Sequence, residues 1–434
     1  MIPKIKRIIK VPYLINGCKR IWMKKYKMLI PLLFLIAICC SWITLFQSIQ
    51  SITIEWLVTF LLWGNSIGLI TVFILGELLI VSLIGTPLSA TKVQNCLATV
   101  GFTDKTGETP LLLSRYREGK AEIFRFYSPT IPLSEYEKRS DIIENALNFQ
   151  IVNAAVEKDL QHVVLKTVPA KVGLPDRINW DNSLVSEKSS TIILGESQLD
   201  KVTIDFNVLP HILIGGSTGS GKSVLLKTIL VQCIIKGFDV YIADFKGGID
   251  FNGFWRTKCE VFTNSRIDID EARKKLLRRL EFFEKELLAR IEMLEESKCI
   301  NIEHYNRKFG CDLQRFIFAC DEVAVLLDKT GLDKERKHVV ECIERILSLM
   351  VHQGRAVGIN TILSTQRPDS ETLKGQIKSD FGIRICGRAD DILSKIIIGS
   401  TDADKKVPKD KQGIFLTNDG VLFKAYYLDE DSVF

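Results

Sequence analysis

The chain has 434 residues, of which 46% are hydrophobic and 25% charged, with a formal net charge of +6. That length accommodates two or three domains, and the balance fits a globular protein with a membrane segment added. It excludes a nucleic-acid binder that works by bulk charge: residues 1–27 hold nine Lys/Arg and no acid, and the chain beyond the apolar region sums to −1.

Residues 1–27 alternate Ile, Val, Leu and Tyr with Lys and Arg, a pattern suited to lying along an anionic membrane leaflet. Residues 28–46 follow as nineteen residues without a charge, long enough to cross a bilayer as a helix. A second apolar stretch runs from Trp56 to about Ile84, interrupted by Asn65 and Glu77. A cleaved signal sequence is a poor fit, because the first run is too long and the second follows at once. The pattern predicts a two-helix transmembrane hairpin over 28–86. The nine cations place the cytosolic basic segment 1–27 inside, and two crossings return the chain to the cytosol, so the N-terminus and all that follows the hairpin are cytoplasmic. Glu77 reads as a helix-end or snorkelling acid or as half of an intersubunit pair, with a functional intramembrane acid as the alternative. The eleven cysteines form no CxxC pair and read as reduced core or membrane thiols, not a zinc or disulfide framework.

Residues 87–205 carry no chemical motif. Residues 121–127 alternate like a half-exposed strand, 163–168 read as a further strand, and 135–152 as a helix with Ile142, Ile143, Ala146, Leu147 and Ile151 on one side. A small α/β intermediate domain fits, serving as a packing collar or in ring assembly or partner docking.

The motor is expected over 206–434. The apolar run 211–214 precedes Gly216-Ser217-Thr218-Gly219-Ser220-Gly221-Lys222-Ser223 and an apolar helical segment. This is the P-loop pattern between a strand and a helix, where glycines let backbone N–H groups and the helix N-terminus surround phosphate oxygens. ATP is the implied ligand, with Lys222 on the β/γ-phosphates and the Ser223 hydroxyl on Mg2+. An ordinary glycine-rich turn is the competing reading. The run 239–243 ends in Asp244-Phe-Lys-Gly-Gly248; its place in the chain between the P-loop and the next acidic strand suggests a strand separating those two in the sheet, the mark of the RecA-like branch. The segment 268–296 predicts a helix with a stripe of Leu280, Phe283, Leu287, Ile291 and Leu294. Lys274, Lys275, Arg278 and Arg279 near its start suit either phosphate contact or a solvated face balanced by neighbouring glutamates. The buried strand 315–320 ends in Asp321-Glu322, placed to orient Mg2+ (Asp321) and to polarise the attacking water (Glu322). A third strand, 360–364, leads to Gln366, a candidate γ-phosphate sensor or else a capping glutamine.

Together these motifs resemble the FtsK/SpoIIIE family of DNA translocases. The likeness covers about residues 190–428 and includes Gly195-Glu196, the run from Pro210 to Ser223, Asp244-Phe-Lys-Gly-Gly, Asn301-Ile-Glu-His-Tyr-Asn306, Gly354-Arg-Ala-Val-Gly-Ile359 and Thr365-Gln-Arg-Pro368. The resemblance implies a RecA-like (ASCE) P-loop NTPase motor of α/β class, working as a ring, a hexamer in this family, around DNA. It also implies an arginine finger from a neighbouring subunit, for which Arg367, Arg384 and Arg388 are candidates; Lys395 stands where the family often has arginine, and lysine cannot copy the bidentate fork. Two departures from chromosomal members are the missing winged-helix reader before Phe434 and the short link between membrane and motor. The short anchor and compact motor look like the coupling ATPases of Gram-positive conjugative plasmids and integrative elements, which deliver relaxase-bound DNA to a membrane channel. The alternatives are a chromosome-partitioning translocase, a type VII-like protein-secretion ATPase, and a non-hydrolytic membrane scaffold.

Overall fold

The computed structural model describes residues 10–50, 54–170, 173–264, 268–366 and 380–430. Two compact units divide at residues 172/173.

In the first unit, α1 (Val11–Met23) leads through a 3-10 turn at Lys25–Met28 into α2 (Leu29–Gln50), and α3 (Glu55–Gly85) follows. At 1.5 Å per residue, α2 spans about 33 Å and α3 about 46 Å, against a hydrocarbon core of roughly 30 Å. Both are long and apolar enough to cross a membrane, and their most apolar windows are 0% and 6% buried. A core helix of a soluble protein would instead hide such a face. The helices touch where Gly76 faces the Phe34 ring: a Cβ there would lie 2.3 Å from it. Glu77, half-buried, sits roughly two turns before the end of α3.

Beyond α4 (Ala90–Thr99) come β1 (Leu111–Glu118) and β2 (Ala121–Tyr127), joined by a tight turn on Gly119, whose φ of +59° suits glycine. Two short helices, α5 (Leu133–Lys138) and α6 (Ser140–Leu147), precede β3 (Phe149–Val156) and β4 (His162–Pro169). The four strands pair antiparallel in the order β1-β2-β4-β3 around Phe102, Phe124, Phe126, Tyr136 and Leu165. The expected helix 135–152 is thus corrected. It breaks at Arg139 and stops at Asn148, whose left-handed φ/ψ of 58°/41° ends α6. The Glu144 carboxylate then accepts the Ile151 N–H at 2.7 Å, so Ile151 belongs to β3.

The second unit is built on one ten-stranded sheet. Its strands are β5 (Thr191–Ser197), β6 (Lys201–Asp205), β7 (Ile212–Gly215), β8 (Asp239–Asp244), β9 (Glu260–Thr263), β10 (Phe316–Cys320), β11 (Ile359–Thr365), β12 (Ile383–Cys386), β13 (Ile414–Thr417) and β14 (Leu422–Ala425). Their order is β6-β5-β14-β13-β12-β7-β11-β10-β8-β9. From β12 to β9 the pairs are parallel, and from β12 back to β6 antiparallel. The helices used below are α7 (Lys222–Ile235), α8 (Ile269–Ser297), α9 (Lys334–Val357) and α10 (Asp391–Ile398). Alternate strand residues feed two cores. Leu213, Phe316, Phe318 and Leu363 pack with α8 and α9 on one face, and Ile212, Ile214, Ile317 and Ile362 with α7 on the other.

Two expectations change here. A strand does separate the P-loop strand from the acidic strand, but it is β11, whereas β8 lies on the far side of β10. All four are short and mostly buried, with no alternation of buried and exposed residues to mark their place, and such strands fit any central slot. The sheet also begins before the expected boundary at 205/206, because the β5–β6 hairpin joins it through β14. The buried Gln232 side chain of α7 locks that hairpin by accepting from the Ile193 N–H and donating to its C=O, both at 2.8 Å.

On α8, Asp268 caps the first turn and Leu276, Leu280, Phe283, Leu287 and Leu294 are buried. Ile291, the remaining member of the expected stripe, is half-buried. Three of the four clustered cations have acidic partners: Lys274 with Glu335 (3.0 Å), Lys275 with Glu271 (3.1 Å) and Arg279 with Glu260 (2.6 Å).

Candidate functional site

The parallel strands β7, β11 and β10 are adjacent, so the residues after their C-terminal ends converge. The P-loop leaves β7 at Gly215 and enters α7 at Lys222. Gly216, Gly219 and Gly221 have φ of +148°, +75° and +99°. A Cβ on Gly221 would also stand 3.2 Å from the backbone of Gly413, so strain and space both require glycine there. The loop is braced from both sides by its own chain: Gly387 N–H donates to Gly215 O (2.9 Å), Ser217 N–H to Arg388 O (2.7 Å), and Gly413 N–H to Ser220 O (2.9 Å).

Lys222 lies in the cradle, its ammonium donating to the carbonyls of Gly216 and, at 3.3 Å, Ser217. Burial pulls its pKa down to about 8, against the opposing pull of Glu322 and Asp321. The Ser223 hydroxyl reaches Asp321 Oδ1 at 3.4 Å. Asp321 follows β10 and is buried; burial, joined by the charges of Asp250, Asp244 and Glu322 and offset by Lys246, pushes its pKa up to about 6. Its Oδ2 and that of the buried Asp244 have no hydrogen-bond partner. Orphaned carboxylate oxygens beside a serine hydroxyl are the hard oxygen donors that Mg2+ prefers, so these residues fit that ion.

Glu322 is held from β11. Its carboxylate accepts from the Thr365 hydroxyl at 2.9 Å and from the Gln366 N–H at 3.2 and 3.1 Å. The Gln366 side-chain oxygen in turn accepts from the Thr218 hydroxyl at 2.7 Å. A continuous path therefore runs from the carboxylate after β10, through the end of β11, to the tip of the P-loop. Thr365, Lys246 and the brace at Gly387-Arg388 and Gly413 escaped the sequence reading, although Thr365 and Lys246 lay inside motifs quoted for the family resemblance.

The arginine-finger candidates separate. Arg388 is committed to its own P-loop, donating to Ser217 Oγ (3.2 Å), Thr218 O (2.7 Å) and Lys409 O (2.9 Å). Arg384 sits on β12 with its main-chain N–H bonded to Asn418 Oδ1 at 2.9 Å and its buried Nε without a partner. Arg367 lies outside the described residues. Lys395 is exposed on α10.

Residues 178–369 match the FtsK/SpoIIIE family. The DNA translocase FtsK of Leptospira interrogans is 28% identical over 285 residues, 62% of this chain and 29% of that protein. The Staphylococcus epidermidis DNA translocase FtsK is 30% identical over 227 residues, 48% of this chain and 26% of that one. The chain therefore spans about three-tenths of the length of these curated relatives. A solved structure, the pCW3 conjugation coupling protein TcpA in monomer form with ATPgS, is 32% identical with a TM-score of 0.58, over 80% of this chain and 97% of that one. The family match takes in the β5–β6 hairpin, the P-loop, Asp321, Glu322 and Gln366 together. The likeness thus follows the whole site and not one motif: the chain has a P-loop ATPase fold, and its residues 178–369 form an FtsK/SpoIIIE family domain.

Proposed function

We propose that this protein is a membrane-anchored, ATP-driven DNA motor of the conjugative coupling type, which assembles as a hexameric ring and delivers relaxase-bound DNA to a membrane channel. The observation that carries this reading is the joining of P-loop, Asp321, Glu322 and Gln366 at three adjacent strand ends, in a chain similar to a conjugation coupling protein over 97% of that protein's structure. The α2–α3 pair supports the anchor, and the nine N-terminal cations support a cytoplasmic N-terminus and motor.

In this mechanism the P-loop amides and Lys222 bind the β- and γ-phosphates, and Ser223 and Asp321 hold Mg2+. The ion, when bound, supplies positive charge against the phosphate oxygens. Glu322, held by Thr365, accepts a proton from the attacking water. Gln366, in contact with Thr218, registers the loss of the γ-phosphate and passes the change into the segment that follows β11. Arg388 braces Ser217 and Thr218 from within the same subunit, which leaves the trans-acting cation to another residue such as Arg367 or Arg384.

The test is the ATPase rate of the detergent-solubilised protein without DNA, with single-stranded DNA and with duplex. The expected result is stimulation by DNA, abolished by Lys222→Ala while that variant stays in the membrane fraction. Stimulation by neither form would point to a protein cargo and overturn the DNA motor. DNA transfer undiminished in Lys222→Ala would overturn the ATP-driven step.

A further inference from the structure

Helix α1 has two distinct faces. One is spent inside the first unit. Tyr13 and Gly17 are buried. A Cβ on Gly17 would lie 2.0 Å from Val81 O and one on Gly85 1.8 Å from Tyr13 O, so α1 crosses the last turn of α3 at backbone contact. Polar side chains on this side complete that turn. Asn16 Nδ2 donates to Gly85 O (2.6 Å) and Leu113 O (2.8 Å), and the Arg20 guanidinium to Ile84 O (3.0 Å) and Leu113 O (3.1 Å). The Ile84 and Gly85 carbonyls would otherwise be left orphaned at a helix end, while Leu113 O lies on β1. The helix is therefore fixed in rotation about its own axis.

That rotation presents the second face outward. Val11, Ile15, Cys18 and Trp22 form one helical stripe. All four are exposed, Val11 at 66%, Ile15 at 53% and Trp22 at 85%. Beside the stripe stand exposed Lys19, Lys24 and Lys25, whose ammonium groups have no ion-pair partner among the described residues. Four residues further on, the chain enters α2, whose outer surface is apolar and exposed in the same way.

We propose that α1 is a binding surface for anionic phospholipid: the Val11–Ile15–Cys18–Trp22 stripe enters the boundary between headgroups and acyl chains, and Lys19, Lys24 and Lys25 meet lipid phosphates. This rests on the reading of α2 and α3 as membrane helices. Three features favour lipid over a protein partner: the stripe's closeness in the chain to the apolar helix α2, a tryptophan at the helix end, where membrane interfaces enrich that residue, and cations without a single acid in residues 1–27. Through Asn16 and Arg20, lipid engaged by α1 bears directly on the end of α3 and on β1.

The experiment places the full chain in lipid nanodiscs containing phosphatidylcholine and phosphatidylglycerol, with bromine on the acyl chains of one lipid at a time. The fluorescence of Trp22 is isolated by subtracting that of a Trp22→Phe variant. Bromolipid is expected to quench the Trp22 emission, and brominated phosphatidylglycerol to quench it about twofold more than brominated phosphatidylcholine at equal mole fraction, a conservative margin for three cations near an anionic surface. A Lys19→Gln/Lys24→Gln/Lys25→Gln variant should lose that preference and keep the quenching. An unquenched Trp22 beside quenched Trp42, Trp56 and Trp63 would overturn the proposal while leaving the spans intact. Equal quenching by both lipids would overturn the anionic assignment. No quenching of any of these tryptophans would mean that α2 and α3 do not sit in the bilayer, and the surface on α1 would fall with them.

Discussion

At the scale of single residues, Thr365 separates a positioned carboxylate from a merely present one. It holds Glu322 by one hydroxyl hydrogen bond at 2.9 Å inside a buried site. Removing one partner of a charge-assisted bond of this kind costs about 1.5–3 kcal/mol. Thr365→Ala is therefore expected to lower single-turnover ATP hydrolysis by roughly tenfold or more, with nucleotide affinity little changed and Thr365→Ser restoring the rate. A fall in affinity with no fall in rate would count against the assignment. The pH dependence follows from the same site. With its pKa raised to about 6, Asp321 loses its negative charge as pH drops through that value, and with it the charge that would hold Mg2+ in the proposed mechanism. With its pKa lowered to about 8, Lys222 loses its positive charge as pH rises through that value. Affinity for magnesium–ATP should be highest between the two. Its acid limb should disappear when binding is measured in EDTA, and its alkaline limb should remain; titration with a fluorescent ATP analogue reads both. These charges could be named from the motifs, but their shifts could not, because both are caused first by burial, with Lys246 acting on each and Asp244 and Asp250 on Asp321, all three brought in from the end of β8 and the loop after it.

At the scale of elements, α8 shows why a basic cluster on a helix is weak evidence of a nucleic-acid contact. Its apolar stripe was legible from the 3.6-residue period, since burial of one face is a local pattern. Two of the three partners of its cations were not, because Glu260 and Glu335 are contributed by β9 and α9. Exposed pairs of this type contribute about 0–1 kcal/mol, so Lys274→Ala/Lys275→Ala should leave thermal stability and the DNA concentration for half-maximal ATPase within about twofold of wild type. A large loss of DNA affinity in that variant would restore α8 as a phosphate-contacting helix. The helix expected over 135–152 failed for a complementary reason. Its apolar residues satisfy a helical period, but one left-handed residue, Asn148, turns the chain into a strand before the pattern ends.

At the scale of the molecule, the two apolar helices and the motor make a topological prediction. Cys311 is exposed in the second unit. If α2 and α3 both cross the membrane and the N-terminus is cytoplasmic, an impermeant maleimide should leave Cys311 unlabelled in intact cells and label it in inside-out vesicles. Labelling from outside would require one of the two helices not to cross or the N-terminus to lie outside.

The sequence by itself determined what is local in the chain: the glycines and lysine of the P-loop, the acid pair closing an apolar strand, and the two long apolar helices. Each of these depends on backbone torsion, side-chain type or length over a few adjacent residues, and such properties are written in order along the chain. Tertiary structure alone decided that β11 and not β8 lies between the P-loop strand and the acidic strand, that the β5–β6 hairpin belongs to the motor sheet, and that Arg388 braces its own P-loop. The physical reason is that strand order and side-chain partnership are settled by contacts between residues far apart in the chain. The central strands β7, β10 and β11 are buried on both faces and carry no periodic mark of which neighbour they will take.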